Sequence, residues 1–254
     1  MRVVIITQDE PFYLADNLEY LISILPSNIK IVGCVVNDVS PFGKKETFLQ
    51  KAKKTYDIFG LDFFLYYSTK YIKSKFDASK DVKKVLERHN IPLITLDENI
   101  NSKSSIEKIR EYKPDLLVSI LGNQIFKEEI INLAPKGCIN LHTALLPKYR
   151  GLMPTFWVMK NNEKYTGVSV FFVDEGVDSG PIIVQKRVEI GDRTQEELIK
   201  YTKKLGMEAI VEAVKLIDKD EVELIENDAS QMTYFSFPTR EDVIEFKKRG
   251  KRFF

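Results

Sequence analysis

The segment GCINLHTALLPKYRG, from Gly137 to Gly151, begins as an apolar strand and continues as a loop bounded by proline and glycine. Side chains alternate between the two faces of a strand, so Asn140 and His142 lie on the same face. One site can therefore hold an uncharged hydrogen-bond donor beside a proton acceptor. This pair suits a reaction in which an oxyanion develops and a nucleophile loses a proton.

A second loop, VDEGVDSGPI from Val173 to Ile182, is punctuated by glycine and carries acids. Asp178 can supply the carboxylate that orients an imidazole in acyl-transfer sites. It can equally be an ordinary loop acid, as we expect Asp174 and Glu175 to be. The chain has only two histidines, and the other one, His89, ends a predicted helix where a solvated position explains it.

Strand-like and helix-like segments alternate through the first half of the chain. The strand-like segments are Val3–Ile6, Ile29–Val36, Ile91–Leu96 and Leu116–Ile120. The helix-like segments are Leu18–Ile24, Phe42–Gly60, Asp81–His89, Ser105–Tyr112 and Lys127–Leu133, and the aromatic segment Leu61–Phe76 is ambiguous. The alternation predicts an α/β fold with a doubly wound, mainly parallel, Rossmann-like sheet. Such sheets bind ligands beyond the carboxyl ends of their strands, where Asn140 and His142 lie.

The pattern changes after this region. Two β-rich segments, Thr166–Val173 and Ile182–Ile190, flank the second loop and predict an antiparallel pair. The stretch Thr194–Asp218 predicts a helix, because Thr194 can cap it together with Glu197 and an apolar stripe follows.

The last part of the chain is basic and aromatic. Thr239 can cap a short helix with acids in its first turn and cations in its last. One interpretation is a C-terminal helix that docks on the main domain, and the other is a basic end that meets a nucleotide diphosphate or RNA. We expect a catalytic domain over residues 1–190, with the C-terminal helix and basic tail over residues 191–254 packing on it or extending it.

Composition narrows the class of protein. Among 254 residues, 38 basic and 37 acidic side chains give a net charge of +1, which provides no global electrostatic case for nucleic acid. Neither the two cysteines nor the two histidines supply a metal-ligand set, so we expect no metal. Cys138 is expected to be a small buried residue. With no secretory or membrane-spanning segment in view, the expected location is the cytoplasm.

Three motifs in this order resemble the folate-dependent formyltransferase family: Asn140-x-His142, the run LLPKYRG that ends at Gly151, and DEGVDSG around Asp178. Members of that family move a formyl group from 10-formyltetrahydrofolate to an amine on methionyl-tRNA, glycinamide ribonucleotide or a nucleotide-linked amino sugar. The resemblance implies that Asn140 binds the formyl oxygen and that His142 handles the proton of the amine. It also implies that Asp178 orients His142.

The same resemblance implies a folate site. The formyl donor, 10-formyltetrahydrofolate, would be a co-substrate whose pterin ring is held by backbone groups of two loops. The residues expected there are Gly122, Asn123, Gln124, Ile125, Val173, Asp174, Glu175 and Gly176.

The acceptor amine is harder to assign. The residues expected to contact it are Gln8, Asp9, Tyr149, Arg150 and Trp157. Arg150 is either structural or phosphate-facing, since a guanidinium cannot act as a base. Trp157 completes a Pro-x-x-Trp that resembles sugar amine formyltransferases, although a core aromatic is an equally simple reading. The first loop, after Ile6, lacks the glycines that would cradle a phosphate, which argues against glycinamide ribonucleotide.

We therefore expect an enzyme that formylates a primary amine, with a nucleotide-linked amino sugar as the acceptor. Formyl transfer to methionyl-tRNA is the first alternative. A formyltetrahydrofolate hydrolase, which uses water in place of the amine, is the second, and a non-catalytic folate- or sugar-binding protein is the third. No membrane partner is expected, and a homodimer remains an open alternative.

Overall fold

A computed structural model describes residues 1–37, 46–122 and 124–254. Residues 42–45 of the predicted helix Phe42–Gly60 and the expected folate contact Asn123 lie outside the described residues. The described strands are β1 (Arg2–Gln8), β2 (Lys30–Asn37), β3 (Leu93–Ile94), β4 (Leu116–Ile120), β5 (Cys138–His142), β6 (Arg150–Gly151), β7 (Tyr165–Phe172), β8 (Ile182–Glu189) and β9 (Tyr234–Phe235). The described helices are α1 (Leu14–Ile24), α2 (Phe48–Phe59), α3 (Leu61–Phe76), α4 (Val82–Arg88), α5 (Lys103–Glu111), α6 (Glu128–Ile131), α7 (Pro154–Lys160), α8 (Gln195–Asp218) and α9 (Arg240–Lys248).

Seven strands form the main sheet in the order β3-β2-β1-β4-β5-β7-β8. The first five of these strands run parallel, and β7 and β8 add an antiparallel edge. All five residues of β4 are buried, as expected of a central strand covered on both faces. The predicted α/β fold with a mainly parallel sheet is therefore confirmed, together with the antiparallel pair β7–β8.

Two helices cover one face of the sheet. α8 begins at a capping box in which the Thr194 side chain accepts the N–H of Glu197 and the Glu197 side chain accepts the N–H of Thr194. Its apolar stripe packs with α1 against β1, β4, β5, β7 and β8, and Leu18, Leu141 and Ile210 belong to this core. The long helix predicted from Thr194 is confirmed. Because α8 is one continuous helix packed on the sheet, its side chains near the strand ends have fixed positions.

The C-terminal part of the chain forms a second, two-stranded sheet with the loop after β5. β9 pairs with β6, so that Arg150 lies beside Tyr234. Phe246 of α9 and Phe253 are buried with Phe156 of α7 in a second core. The helix expected after Thr239 is confirmed, with Thr239 as its cap, and it packs on the rest of the chain.

Two segments differ from expectation. The strand predicted over Ile91–Leu96 is reduced to Leu93–Ile94, because β3 pairs only with Cys34 and Val35 at the edge of the sheet. The ambiguous aromatic segment is the helix α3, and α7 is a helix that the sequence analysis did not predict.

The described residues lack two features that would bear on the chemistry of the protein. Across residues 1–37, 46–122 and 124–254, no helix has the length and apolar character required to cross a bilayer. Within the same ranges, no group of three or more histidine, cysteine or acidic side chains is arranged to hold a metal ion.

Candidate active site

A cavity of about 420 Å³ opens at the carboxyl ends of the parallel strands. Its floor is formed at Gln8 of β1, at Leu121 directly after β4, and at His142 of β5. One wall comes from the loop after β4 and the loop between β7 and β8, on the sheet face that carries Val173 and Phe126. The other wall comes from α1 and α8 on the opposite face. This is the place where doubly wound sheets bind ligands.

Asn140 lies in the middle of β5, beside Ser119 of β4 and Phe171 of β7. Its Oδ1 atom is buried and has no hydrogen-bond partner among the described residues. Buried polar atoms are normally bonded, so an unpaired one in a cavity wall indicates a place for a ligand. Cys138 lies on the same face of β5 but is fully covered, and burial raises the pKa of its thiol, which excludes it as a nucleophile.

His142 ends β5 and is 7 % exposed. Its Nε2 lies 2.6 Å from the carbonyl oxygen of Tyr149. A carbonyl oxygen only accepts, so Nε2 carries the hydrogen and the lone pair of the neutral ring is on Nδ1. Nδ1 lies 3.5 Å from Oδ2 of Asp178. A proton taken up at Nδ1 would therefore meet a carboxylate directly.

Asp178 is held in a strained backbone position, with φ of 49°. Its Oδ2 accepts a hydrogen bond of 2.9 Å from the N–H of Gly151. Gly151 itself has φ of +95°, and a Cβ there would lie 2.3 Å from the carbonyl oxygen of Phe235. Only glycine fits this position, and so the Leu-Leu-Pro loop can deliver its N–H to the Asp178 carboxylate.

Asn227 is a site residue that the sequence analysis missed. Its Nδ2 donates to the carbonyl oxygens of Asp178 and Gly180, both at 2.9 Å. Its Oδ1 accepts from Nη2 of Arg150 at 2.8 Å. Arg150 is buried, does not line the cavity, and holds the Asp178 loop through Asn227. No motif surrounds Asn227, so only the fold reveals this contact.

The residues expected to hold folate divide into two groups. Those that line the cavity are Gly122, Gln124, Ile125, Val173, Asp174 and Gly176. A Cβ on Gly122 would lie 2.7 Å from Oγ of Ser119, so the backbone approaches the strand ends closely here. Glu175 is exposed and does not line the cavity.

The residues expected to contact the acceptor are dispersed. Gln8 lines the cavity, whereas Asp9 is exposed at its edge and does not. The Tyr149 hydroxyl donates to Glu163, and burial together with this bond raises the pKa of Tyr149 to about 12. Trp157 is buried in the second core, where Nε1 donates to the carbonyl oxygen of Ser236 at 3.1 Å.

The wall formed by α1 and α8 contains polar residues that no sequence motif marks. The described residues of these two helices that line the cavity are Leu14, Asn17, Gln195, Ile199, Thr202, Lys203 and Met207. Those of α8 recur at helical spacing, so they occupy one face of the helix. Helical periodicity alone could have predicted that these α8 residues share a face. It could not have predicted that this face lies beside the ends of β4 and β5.

Comparison with known proteins identifies a family and several relatives that this chain resembles. The family model "Formyl transferase" matches residues 67–214, more than half of the chain. Methionyl-tRNA formyltransferase from Kosmotoga olearia is 39% identical over 176 residues, which are 68% of this chain and 56% of that protein. The enzyme of the same name from Thermotoga neapolitana is 30% identical over 250 residues, 98% of this chain and 69% of that protein.

Solved structures share the fold at lower identity. Phosphoribosylglycinamide formyltransferase from Anaplasma phagocytophilum has a TM-score of 0.62 at 20% identity, covering 92% of this chain and 98% of that chain. A Helicobacter canadensis N-formyltransferase, described in complex with folinic acid and dTDP-3-aminofucose, has a TM-score of 0.58 at 19% identity, covering 95% of this chain and 72% of that chain. The chain spans about half the length of the first curated relatives it matches. The match of the family model, together with these relatives, confirms the resemblance seen in the motifs: the chain belongs to the formyl transferase family.

Proposed function

We propose that the protein transfers a formyl group from 10-formyltetrahydrofolate to a primary amine. The observation that carries the proposal is the arrangement of Asn140, His142 and Asp178 at one cavity. An amide that lines the cavity, an imidazole whose Nε2 bonds a backbone carbonyl and a carboxylate beside it are the groups that acyl transfer requires.

Each residue has a distinct part in the reaction. The neutral amine attacks the formyl carbon, a carbon–nitrogen bond forms, and negative charge develops on the formyl oxygen. Asn140 donates its amide N–H to that oxygen, and His142 accepts the proton of the amine at Nδ1. Asp178 stabilises the imidazolium that results. His142 then returns the proton to the nitrogen of the departing tetrahydrofolate as its carbon–nitrogen bond breaks.

The residues present fit a folate as the formyl donor. The wall that includes Gly122, Val173 and Gly176 also carries Ile125 and Phe126, so it offers apolar surface beside two glycines where a flat ring can approach the backbone. Gln124 is already held, because its Oε1 accepts the N–H of Ile100 at 3.0 Å. The bound folate would supply the formyl group, and no metal is needed for the transfer.

Two acceptors follow from the sequence, and different observations favour them. The case for a nucleotide-linked amino sugar depends on the Pro-x-x-Trp motif at Pro154 and Trp157. The indole N–H of Trp157 already donates to the carbonyl oxygen of Ser236 in the second core. Methionyl-tRNA is favoured by the names of the relatives that are at least 30% identical. Both acceptors present a primary amine and carry phosphate.

Tetrahydrofolate release from 10-formyltetrahydrofolate tests the proposal. It is measured with no acceptor, with a pool of nucleotide amino sugars, and with charged methionyl-tRNA. His142→Ala is the test variant, and His89→Ala is the matched control, because His89 lies at the surface against Glu19. Release that requires one acceptor and disappears only in His142→Ala supports the transferase and identifies the acceptor.

The other outcomes oppose the proposal. Equal release without any acceptor indicates a hydrolase. Release that survives in His142→Ala contradicts the role of the imidazole. Folate binding without release in any arm supports the non-catalytic binding protein.

A further inference from the structure

Lys203 of α8 occupies a special place in the cavity. Among the described residues that line the cavity, it is the only lysine or arginine. It shares one face of α8 with Ile199, Thr202 and Met207, all of which line the same wall. The mechanism proposed above makes no use of this cation.

Lys203 has no ion-pair or hydrogen-bond partner within the described part of the chain. Its neighbours differ, because Lys200 pairs with Glu196 at 2.8 Å and Lys204 lies over the ring of Tyr20. Nζ of Lys203 lies 5.6 Å from the centroid of the Tyr13 ring, and the Glu10 carboxylate acts on it electrostatically. The charge of Lys203 is therefore not balanced by a direct contact.

The Glu10 carboxylate is already engaged. It accepts the backbone N–H groups of Phe12 and Tyr13, at 2.9 and 3.0 Å, and so it holds the turn that leads into α1. Burial lowers the pKa of Lys203, and Glu10 opposes this effect only in part. A part-buried ammonium without a partner is costly, whereas an anion bound beside it would offset that cost.

Lys203 lies on the wall of the cavity opposite the residues that we assign to folate. The residues that we assign to folate lie on the wall containing Gly122 and Val173, on one face of the sheet. Lys203 lies on the wall from α1 and α8, on the other face. His142 stands at the strand end between the two walls. An acceptor amine that meets the formyl group there would have the rest of its molecule beside Lys203.

A second groove, of about 470 Å³, adjoins this wall through Asn17, which lines both spaces. Its lining is aromatic and basic, and the described residues are Phe12, Tyr13, Asp16, Asn17, Tyr20, Lys70, Lys80, Lys200 and Lys204. Lysines interleaved with aromatic rings suit a phosphate-bearing group with a base. Within this groove Lys70 and Lys200 pair with Glu196 and Lys80 pairs with Asp16, so Lys204, which lies over the ring of Tyr20, is the lysine there without an acidic partner among the described residues.

We propose that Lys203 binds a phosphate of the acceptor and so selects amines that are carried on phosphate-bearing molecules. This proposal rests on the proposed function, because it assigns a substrate class to the same cavity. Lys203 is not required for the chemical step. It acts as a recognition residue on the acceptor side of Asn140 and His142.

Three variants test the assignment. Lys203→Met removes the charge and keeps the length of the side chain, Lys203→Arg keeps the charge, and Lys215→Met is a control at an exposed position of the same helix. In the formyl-transfer assay, Lys203→Met should raise the acceptor KM about tenfold or more, with the KM for 10-formyltetrahydrofolate within about twofold. Lys203→Arg should stay within about threefold of wild type, and the control should not differ from it.

Two further measurements make the result independent of turnover. Titration calorimetry with inorganic pyrophosphate and with a nucleoside diphosphate should show binding to the wild type that is weakened in Lys203→Met. The thermal midpoint of Lys203→Met should equal or exceed that of wild type, because the variant removes an unpaired part-buried charge. Parallel assays with nucleotide amino sugars and with methionyl-tRNA show which molecule supplies the phosphate.

Failure of this inference differs from failure of the proposed function. An unchanged acceptor KM in Lys203→Met, with transfer that still requires His142, overturns only the phosphate contact. A rise in the KM for folate instead assigns Lys203 to the donor and also overturns it. Absence of transfer in every arm, with pyrophosphate binding that depends on Lys203, supports the anion site and contradicts the transferase.

Discussion

Nδ1 of His142 and Oδ2 of Asp178 lie 3.5 Å apart, although the two residues come from different parts of the sheet. His142 ends β5, and Asp178 lies in the loop between β7 and β8. β7 runs antiparallel to β5 and ends with Phe172 beside Ile139, so the loop that follows turns back along β5 for Asp178 to reach His142. The same Asp178 oxygen accepts the N–H of Gly151, so three segments meet at one carboxylate.

The charge of Asp178 should be essential for turnover. Asp178→Asn keeps the shape but offers an amide N–H to Nδ1 of His142, the atom that must accept a proton. We expect kcat to fall about 10²-fold or more, with the KM for 10-formyltetrahydrofolate within about threefold of wild type. Steady-state kinetics measures both. Glu175→Gln makes the same charge change at an exposed position of the loop, and an equal loss there would refute the assignment.

Asn140 should matter for rate and not for stability. Asn140→Ala removes the donor to the developing oxyanion, and we expect kcat to fall about 10²- to 10³-fold. Its Oδ1 is buried without a partner among the described residues, so the free energy of unfolding should stay within about 0.5 kcal/mol of wild type or increase. Urea unfolding and kinetics are measured together, with Asn132→Ala at an exposed position as control. A variant that is strongly destabilised would assign Asn140 to the structure instead.

Asn227 should link stability to catalysis. Asn227→Ala removes its bonds to Asp178 and Gly180 and leaves the buried guanidinium of Arg150 without its shortest contact. We expect the free energy of unfolding to fall by about 2–3 kcal/mol and kcat to fall about tenfold, because the Asp178 loop is released. Chemical denaturation and kinetics test this.

Glu226→Ala, at the exposed preceding residue, should change neither quantity. Loss of acceptor affinity in Asn227→Ala, with stability and kcat unchanged, would instead assign Asn227 and Arg150 to substrate binding.

The fold was largely predictable because its elements carry local signals. The apolar run of β4 and the capping box at Thr194 each mark an element without reference to the rest of the chain. α7 carries no such signal, since five of its residues are buried and no polar face reveals a helical period. Trp157 belongs to this helix, so a motif that resembles a substrate contact packs as a core residue. The strand β3 is short because only an edge pairing defines it.

The candidate site was predictable only where motifs are compact. Strand alternation predicts Asn140 and His142 on one face, and the resemblance of the glycine-punctuated loop to the family predicts Asp178, because each signal lies within a few residues. Asn227 bonds a loop far away in sequence, and Lys203 lines a cavity that is built from distant segments. Their residue types are common on surfaces, so no local pattern distinguishes them, and only the packing of α8 and of the C-terminal segment reveals their roles.

Glu196 of α8 should make stability depend on pH. Burial raises the pKa of this carboxyl, but hydrogen bonds from Lys200, Lys70 and Tyr66 outweigh it and lower the pKa from its usual 4.5 to about 2. A depressed pKa in the folded state stabilises the protein above the unfolded value and loses that effect as pH falls from about 4.5 towards 2. Its N–H also bonds Phe253, so the carboxylate and the C-terminal segment are anchored together.

Glu196→Gln should therefore lower the free energy of unfolding by roughly 2 kcal/mol near neutral pH. The difference from wild type should shrink steadily below about pH 4 and approach zero near pH 2, because protonation then neutralises Glu196 in the wild type and makes it resemble the glutamine. Urea unfolding at several pH values measures it, and Glu223→Gln, at an exposed position, is the matched control. A difference that stays constant across this range would show that shape and neutral hydrogen bonds, rather than the charge of Glu196, hold Lys70, Lys200 and Tyr66 in place.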